Sequence, residues 1–314
     1  MSVYLGIDTS NYTTSVAIYD QARRQMVQRK KLLPVAQGQL GLQQSKALFY
    51  QIRQLPEVLE SAFLAYGETA LKAVGVSSRP RMQPGSYMPV FLAGQAVARS
   101  IAVSHNIPCY ETAHQNGHVA AALYAAARLD LLERPFLAFH VSGGTTEALL
   151  ITPDRQQIFH CEVAAKTLDL NAGQVIDRVG GLLGLPFPSG GALDKLSQNG
   201  AQPSGIRPAL KGADCCLSGV ENQCMAMRQK GAPTADIARY AIEYIYQTVK
   251  EMTDRLRQQY GDLPVVYAGG VMRNSLIRER LARCGGIFCD PDFSSDNAAG
   301  VAVLAAISDQ RSSI

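Results

Sequence analysis

The sequence predicts an α/β fold made of two duplicated lobes, on the strength of three observations. Strands alternate with helices along the 314 residues, the pattern of sheets covered by helices. A strand, polar turn, strand unit opens the chain. The same unit returns roughly half a chain later, as in a duplication where each copy presents its turn to a shared cleft. The two copies share this pattern rather than residue identity.

In the first copy, Val3–Asp8 is apolar, Thr9–Thr13 is a polar turn, Ser15–Tyr19 is apolar again, and Met26–Leu33 follows a charged turn. In the second, Phe136–Val141 is apolar, Ser142–Thr146 is the turn, Ala148–Thr152 is apolar, and Gln157–Val163 follows Pro153. Between them lies a long helical pattern, Gln43–Tyr66, in which Pro56 is expected to kink or break the helix. A strand at Ala73–Ser77, a loop from Arg79 to Ser86 and a small-residue helix over Val90–Ser104 follow. Next comes the helix that carries His114 and His118. Helices are expected near Ala172–Leu183, Gly191–Asn199, Gly219–Lys230 and Ala235–Tyr260. The chain then runs through strand Val265–Ala268, a helix from Asn274, strand Ile287–Cys289 and a helix from Asp296. The lobes are expected to break between residues 134 and 135. Residues 1–134 then carry the histidines, and residues 135–314 carry the glycine junctions.

Composition excludes several classes. With 47% hydrophobic and 18% charged residues, the chain has ordinary globular material for one large or two mid-sized domains. No apolar run reaches membrane-spanning length, so no membrane association is expected. The first apolar stretch lacks a basic flank and is interrupted by Asp8, unlike a secretory leader. Seven scattered cysteines without a CxxC pair are the expectation for free thiols in a reducing cytoplasm. A formal charge of +4 permits contact with nucleic acid without arguing for it.

His114 and His118, spaced i and i+4, lie on one helix face about one turn apart, so both imidazoles can reach one divalent metal. Paired histidines near a helix start also serve as surface or capping residues. Asp296 opens the last helix, where an acid is either a third ligand or simply an N-cap, and His140 is a candidate fourth ligand. Histidines with a carboxylate and open positions suit iron or zinc.

The loop Val141-Ser142-Gly143-Gly144-Thr145 has the composition of a phosphate cradle, and equally that of a hairpin turn. Gly269 and Gly270, between a buried strand and a helix start, would let the flat face of a ligand lie on the backbone, with Asn274 in reach. Gly190, in Pro188-Ser-Gly-Gly191, makes a third such junction. Asp177 and Asp194 flank it, either to take ribose hydroxyls or as solvated helix residues. Together the three junctions describe a nucleotide site. No Ser-His-Asp or Cys-His arrangement stands out, no catalytic residue is assigned, and Cys215 and Cys216 read as small buried hydrophobes.

These motifs resemble, nearly end to end, the threonylcarbamoyl-transferring enzymes that make N6-threonylcarbamoyladenosine in tRNA, long described as glycoprotease-like. The matching segments are Gly6–Ser10, His114-Gln-Asn-Gly-His118, Val141–Gly144, Ala172-Gly173 with Asp177, Pro188-Ser-Gly190, Leu217–Gly219, Gly269–Val271 with Asn274, and Asp296–Ala298. The resemblance implies the actin, sugar-kinase and heat-shock-chaperone ATPase fold. It also implies metal ligation by His114, His118 and Asp296, and contacts to ATP or an adenylate from Val141–Thr145, Asp177, Gly190, Asp194 and Asn274. The family moves a carbamoyl group from its mixed anhydride with AMP to an amine, with tRNA as acceptor and companion subunits as partners.

Five positions depart from the family. Tyr12 and Thr13 stand where an acidic pair is usual. Thr145 replaces a histidine or asparagine, Asn116 replaces the acid of the histidine motif, and His140 stands where some relatives place a tyrosine ligand. The expected function is therefore a metal-dependent threonylcarbamoyl or carbamoyl transferase. The alternatives are a nucleotide-binding regulatory or scaffold paralogue and, last, a metallopeptidase, which lacks a glutamate base in the histidine motif.

Overall fold

The computed structural model describes residues 3–10, 12–34, 42–67, 70–289 and 297–312. In chain order they form β1 (Val3–Thr9), β2 (Thr13–Asp20), β3 (Gln25–Leu32), α1 (Gln44–Tyr66), β4 (Leu71–Arg79), α2 (Phe91–His105), β5 (Cys109–Ala113) and α3 (His114–Ala125). Then follow β6 (Phe136–Val141), β7 (Thr146–Asp154), β8 (Ile158–Lys166), α4 (Ala172–Leu182), α5 (Gly190–Ser197), β9 (Ala209–Lys211), β10 (Asp214–Cys216) and α6 (Gly219–Gln229). The last elements are α7 (Thr234–Tyr260), β11 (Val265–Ala268), α8 (Ser275–Arg283), β12 (Gly286–Phe288) and α9 (Asn297–Ser312). Among the described residues, no helix is long and apolar enough to cross a membrane.

The chain divides into two compact units. One comprises Met1–Leu132, Pro153–His160 and Asp292–Ile314, and the other Glu133–Thr152 and Cys161–Pro291. The C-terminal helix, expected with the second lobe, belongs to the first unit. The reason is packing: α9 runs Asn-Ala-Ala-Gly-Val-Ala-Val-Leu-Ala-Ala and is buried on nearly every side. Its alanines form one apolar cluster with Tyr4, Ala17 and Tyr19 of the first sheet.

Each unit is organised by a five-stranded mixed sheet. The first has the order β3-β2-β1-β4-β5 and the second β8-β7-β6-β11-β12. Numbered within its own sheet, the second order is the first. Pairing senses agree as well: β1–β2 and β6–β7 are antiparallel, while β1–β4, β4–β5, β6–β11 and β11–β12 are parallel. The duplication expected from the sequence pattern is therefore present as topology.

In the first unit, strand alternation sorts the core onto two faces. Val3, Leu5 and Ile7 face α1 and α2 through Leu55, Val58, Ala98 and Ala102, while Tyr4 faces α9. Helix α9 reaches the sheet because Gly6 and Gly75 lack side chains. A Cβ at Gly75 would sit 2.6 Å from the Val301 carbonyl, and one at Gly6 would strike that of Ala298. Gly117 and Gly300 do the same between α3 and α9, where a Cβ on Gly300 would strike the Gly117 carbonyl. Helix α1 continues through Pro56 rather than breaking there. The carbonyl that loses a partner to proline belongs to Ile52, which is 59% exposed, so water can satisfy it.

In the second unit, Leu137, Phe139 and Val141 of β6 pack with Val175 and Val179 of α4 and with the apolar stripe of α7. His140 lies on the opposite face of β6 by the two-residue period. Two elements were not expected from sequence: strand β5, whose Cys-Tyr-Glu-Thr-Ala carries little apolar signal, and the short hairpin β9–β10.

Candidate functional site

In the first unit the site grows from the C-terminal ends of β1 and β4 and the first turn of α3. Asp8, a carboxylate 2% exposed, is placed by β1. Ser77 of β4 donates its hydroxyl to Asp8 Oδ1. His114 Nδ1 lies 3.0 Å from Oδ1 and 3.1 Å from Oδ2 of Asp8. Burial alone would raise the Asp8 carboxyl. The His114 ring and the Ser77 and Ser10 hydroxyls outweigh it and hold the group below the usual carboxylate range.

That arrangement decides the chemistry of the histidine pair. A carboxylate only accepts, so the His114 Nδ1 that faces Asp8 carries a proton, and Nε2 is the ring nitrogen directed away from the carboxylate. The His114 and His118 ring centroids are 4.7 Å apart at 70°. Both Nε2 atoms face the amide of Asn297, at the start of α9: its Nδ2 is 2.9 Å from His114 Nε2 and 3.1 Å from His118 Nε2. The same amide is 2.5 Å from His114 Nδ1, so it lies over the face of that ring. Asn297 is 4% exposed, and its buried Oδ1 has no hydrogen-bond partner among the described residues. A cavity of about 260 Å³ beside the pair is lined by Asp8, Ser10, Tyr12, Thr13, Ser15, His114, His118 and Asn297.

The turn bearing Ser10, Tyr12 and Thr13 is held from behind by α1. Gln51, fully buried, donates from Nε2 to the carbonyls of Ser10 (2.6 Å) and Thr13 (3.0 Å). Thr14 returns a bond to Gln51 Oε1 at 2.6 Å. A buried amide with both ends engaged fixes its neighbours without an energetic penalty for burial.

Two imidazoles whose Nε2 atoms lie within 3.1 Å of one amide nitrogen, one ring backed by a carboxylate, fit part of a donor set for zinc or iron. Asp296, the expected third ligand, lies outside the described residues. Among the described residues, no group of three or more His, Cys, Asp or Glu side chains is gathered to hold a metal. Asn116, at the position of the family's acid, is buried within α3.

In the second unit, Ser142–Thr145 is the β6–β7 turn, closed by Ser142 N–H donating to the Thr145 carbonyl at 2.7 Å. The Ser142 hydroxyl accepts from the Thr145 N–H at 3.1 Å. The turn rests on the start of α4: Gly173 N–H donates to Ser142 O (3.1 Å) and Ala172 N–H to Thr146 Oγ1 (2.9 Å). Gly173 must lack a side chain, since a Cβ would sit 2.5 Å from Gly143 N. Gly143 and Gly144 face open space, leaving their backbone approachable. Val141 is buried, Thr145 half-buried, and His140, half-buried, precedes them on β6.

Gly269 adopts φ 101° and approaches β6 so closely that a Cβ would strike the Val141 carbonyl, while Gly270 faces open space. Asn274 caps α8 by accepting from Ile277 N–H at 3.1 Å, and its buried Nδ2 has no partner among the described residues. Asp177 accepts from Ser189 N–H at 2.8 Å and so holds the junction before Gly190, whose surroundings are open. Asp194 takes both the N–H (3.0 Å) and the hydroxyl (2.7 Å) of Ser275. Both aspartates thus have a structural bond in addition to any ligand contact.

Sequence reasoning misses Asp8, Ser77, Gln51 and Asn297 as members of this site. A signal existed for two of them: Asp8 is an acid inside an apolar strand, and Gln51 interrupts the apolar face of α1.

The activator of 2-hydroxyisocaproyl-CoA dehydratase from Clostridium difficile, solved with bound ADPNP, superposes with a TM-score of 0.54 at 16% identity, covering 99% of this chain and 97% of that one. Full-length HypF in its phosphate- and nucleotide-bound form gives 0.58 at 15% identity, over 98% of this chain and 55% of HypF. The ROK hexokinase of Thermus thermophilus gives 0.51 at 15% identity, over 98% and 99%. These likenesses establish the fold as that of the actin, sugar-kinase and chaperone ATPases. The family model described as TsaD, tRNA N6-adenosine threonylcarbamoyltransferase, matches residues 52–303. The chain therefore belongs to the tRNA N6-adenosine threonylcarbamoyltransferase family.

Proposed function

We propose that this protein is a metal-dependent threonylcarbamoyl transferase that uses an acyl-adenylate as donor and adenosine in tRNA as acceptor. The observation that carries the reading is the Asp8–His114–His118 arrangement, in which a buried carboxylate holds one imidazole and both Nε2 atoms lie within 3.1 Å of Asn297 Nδ2. His114 and His118 would hold iron or zinc, with Asp296 as the further ligand. Such a metal supplies Lewis-acid polarisation of the acyl carbonyl.

The chain's own residues do the rest. Asp8 keeps the proton on His114 Nδ1, and Gln51 fixes the Ser10–Thr13 turn whose hydroxyls border the pair. In the second unit, the Val141–Thr145 turn and the Gly190, Gly269 and Gly270 junctions offer bare backbone to the adenylate, with Asn274 Nδ2 as an unused donor. Asp177 and Asp194 stand by these junctions for the ribose. In the transfer, the acceptor nitrogen forms its bond to the carbamoyl carbon as the bond from that carbon to the phosphate oxygen breaks. AMP then departs, its charge met by backbone N–H groups. ADPNP and nucleotide in the compared structures support nucleotide binding by this fold. Family membership supports tRNA as acceptor and companion subunits as partners, and a cytoplasmic location agrees with the free cysteines.

One observation favours a second reading, a nucleotide-binding regulatory paralogue. The cavity beside the histidines brings hydroxyls at Tyr12 and Thr13, and its carboxylate, Asp8, is already committed to His114 and Ser77. Complementation separates the two. In cells depleted of their own tRNA threonylcarbamoyl transferase, the chain should restore the modified nucleoside, and His114→Ala should not. Failure to restore it despite retained nucleotide binding would select the regulatory reading.

A further inference from the structure

A second cavity of about 520 Å³ opens at the C-terminal ends of β4 and β5, and neither the histidine pair nor the glycine turns account for it. Its size falls in the range of roughly 300–1,000 Å³ in which ligand pockets occur, and ligands favour the C-terminal ends of parallel strands. Its walls are the segment from Ser78 to Tyr87, Gln95 and Leu92 of α2, and Glu111 of β5, with Gln157 at the margin.

The cavity adjoins the histidine site through backbone and side-chain bonds. Ser77, one residue before its wall, is bonded to Asp8. Pro80 O accepts from Gln115 N–H at 3.0 Å, beside His114.

The lining has a definite chemistry. Gln95 Nε2 donates to the Ser78 carbonyl at 2.9 Å, which fixes the plane of its amide. Gln83 adds a second amide, and Tyr87 presents a ring 62% exposed at the rim. Arg79 lies 3.9 Å and Arg99 2.5 Å from Glu111, so two guanidiniums oppose one carboxylate and a positive charge is left over. A surface ion pair explains the arginines and the acid by themselves. It does not explain two amides and an exposed aromatic ring gathered around a cavity.

Amides that donate and accept in one plane read the edges of unpaired bases, aromatic rings stack on their faces, and guanidiniums meet phosphate. We propose that this cavity takes one unpaired nucleotide of the RNA acceptor, with the base stacked on Tyr87, its edge on Gln83 and Gln95, and its phosphate toward Arg79. The assignment rests on the transferase reading and adds to it the place where the acceptor is gripped.

The test uses the full chain and two RNAs of equal length at fixed salt: a hairpin whose unpaired loop carries 2-aminopurine, and a blunt duplex. The wild type should bind the hairpin and quench the 2-aminopurine. Tyr87→Ala should weaken hairpin binding about ten-fold and abolish the quenching, as expected for loss of one base stack. Tyr87→Phe should restore both, Gln95→Leu should weaken hairpin binding, and duplex binding should not change. Tyr87 is exposed, so its loss leaves the core intact. If Tyr87→Ala leaves hairpin affinity and quenching unchanged, or weakens both RNAs equally, the assignment is overturned. Should the protein form N6-threonylcarbamoyladenosine while Tyr87→Ala is silent in every readout, only the cavity assignment falls. Should it bind neither RNA, the RNA-transferase reading falls and takes the cavity with it.

Discussion

The carboxylate of Asp8 lies 3.0 Å from Nδ1 of His114, buried between β1, β4 and the first turn of α3. Asp8→Asn removes the negative charge and the obligatory acceptor while keeping the shape. His114 is then free to place its proton on either nitrogen. Divalent metal affinity should fall about 10- to 100-fold, the usual cost of losing such an outer partner. Titration of zinc or iron into the metal-free protein measures this. An unchanged affinity would mean that Asp8 does not orient the ligand.

Gly300→Ala tests how α9 is seated. The added methyl would strike the Gly117 carbonyl, which is backbone and cannot swing away. The helix must shift, and Asn297 with it. A loss of about 1–3 kcal/mol in unfolding free energy is expected for overpacking of this kind, read from the denaturant midpoint. Gly85→Ala, at a position with open surroundings and φ 77°, should cost less, since only backbone strain is added.

Gln51→Leu should cost about 1–3 kcal/mol, because the Ser10 and Thr13 carbonyls lose their donor and the Thr14 hydroxyl loses an acceptor. Activity should fall further than the fraction unfolded, since the turn beside the histidines is released. Equal losses of activity and folded protein would limit Gln51 to a role in stability.

Asp20 links the β2–β3 turn to α1. The Arg23 N–H holds its carboxyl below the usual carboxylate range, against the opposing effect of desolvation, and the Tyr66 hydroxyl at 2.8 Å adds to the lowering. A depressed folded-state value contributes stability that is present above the unfolded value near pH 4 and is lost as pH falls through the folded one. Stability should therefore drop below about pH 4. Asp20→Asn should be less stable at neutral pH and show a shallower acid limb in denaturant midpoints measured from pH 7 to pH 2. A variant whose acid limb matches the wild type would remove Asp20 from the account.

The duplicated hairpins were legible because apolar periodicity is local: Val3–Asp8 and Phe136–Val141 announce themselves within a few residues. The cap at Asn274 was likewise readable from its position at a helix start. Helix α9 is expected with the second lobe and packs in the first unit, because an Ala- and Gly-rich helix fits any close crossing. Only the facing Gly6, Gly75 and Gly117 select its partner. The histidine pair was visible from its i, i+4 spacing, yet Asp8 stands 106 residues away in sequence, and no local pattern joins them. Asp194 was visible as an acid near a glycine junction, but its bonds to Ser275 belong to tertiary structure.

The central claim is that the histidine pair serves threonylcarbamoyl transfer, and its most direct measurement is the yield of N6-threonylcarbamoyladenosine in unmodified tRNA. The purified protein would be supplied with threonylcarbamoyl-adenylate, divalent metal and companion subunits, and the tRNA digest analysed by mass spectrometry. The account predicts product with the wild type and loss of at least 100-fold with His114→Ala, on the scale of about 3 kcal/mol for a lost electrostatic contribution to the transition state. Product formation that survives His114→Ala undiminished, or its absence with the wild type, would contradict it.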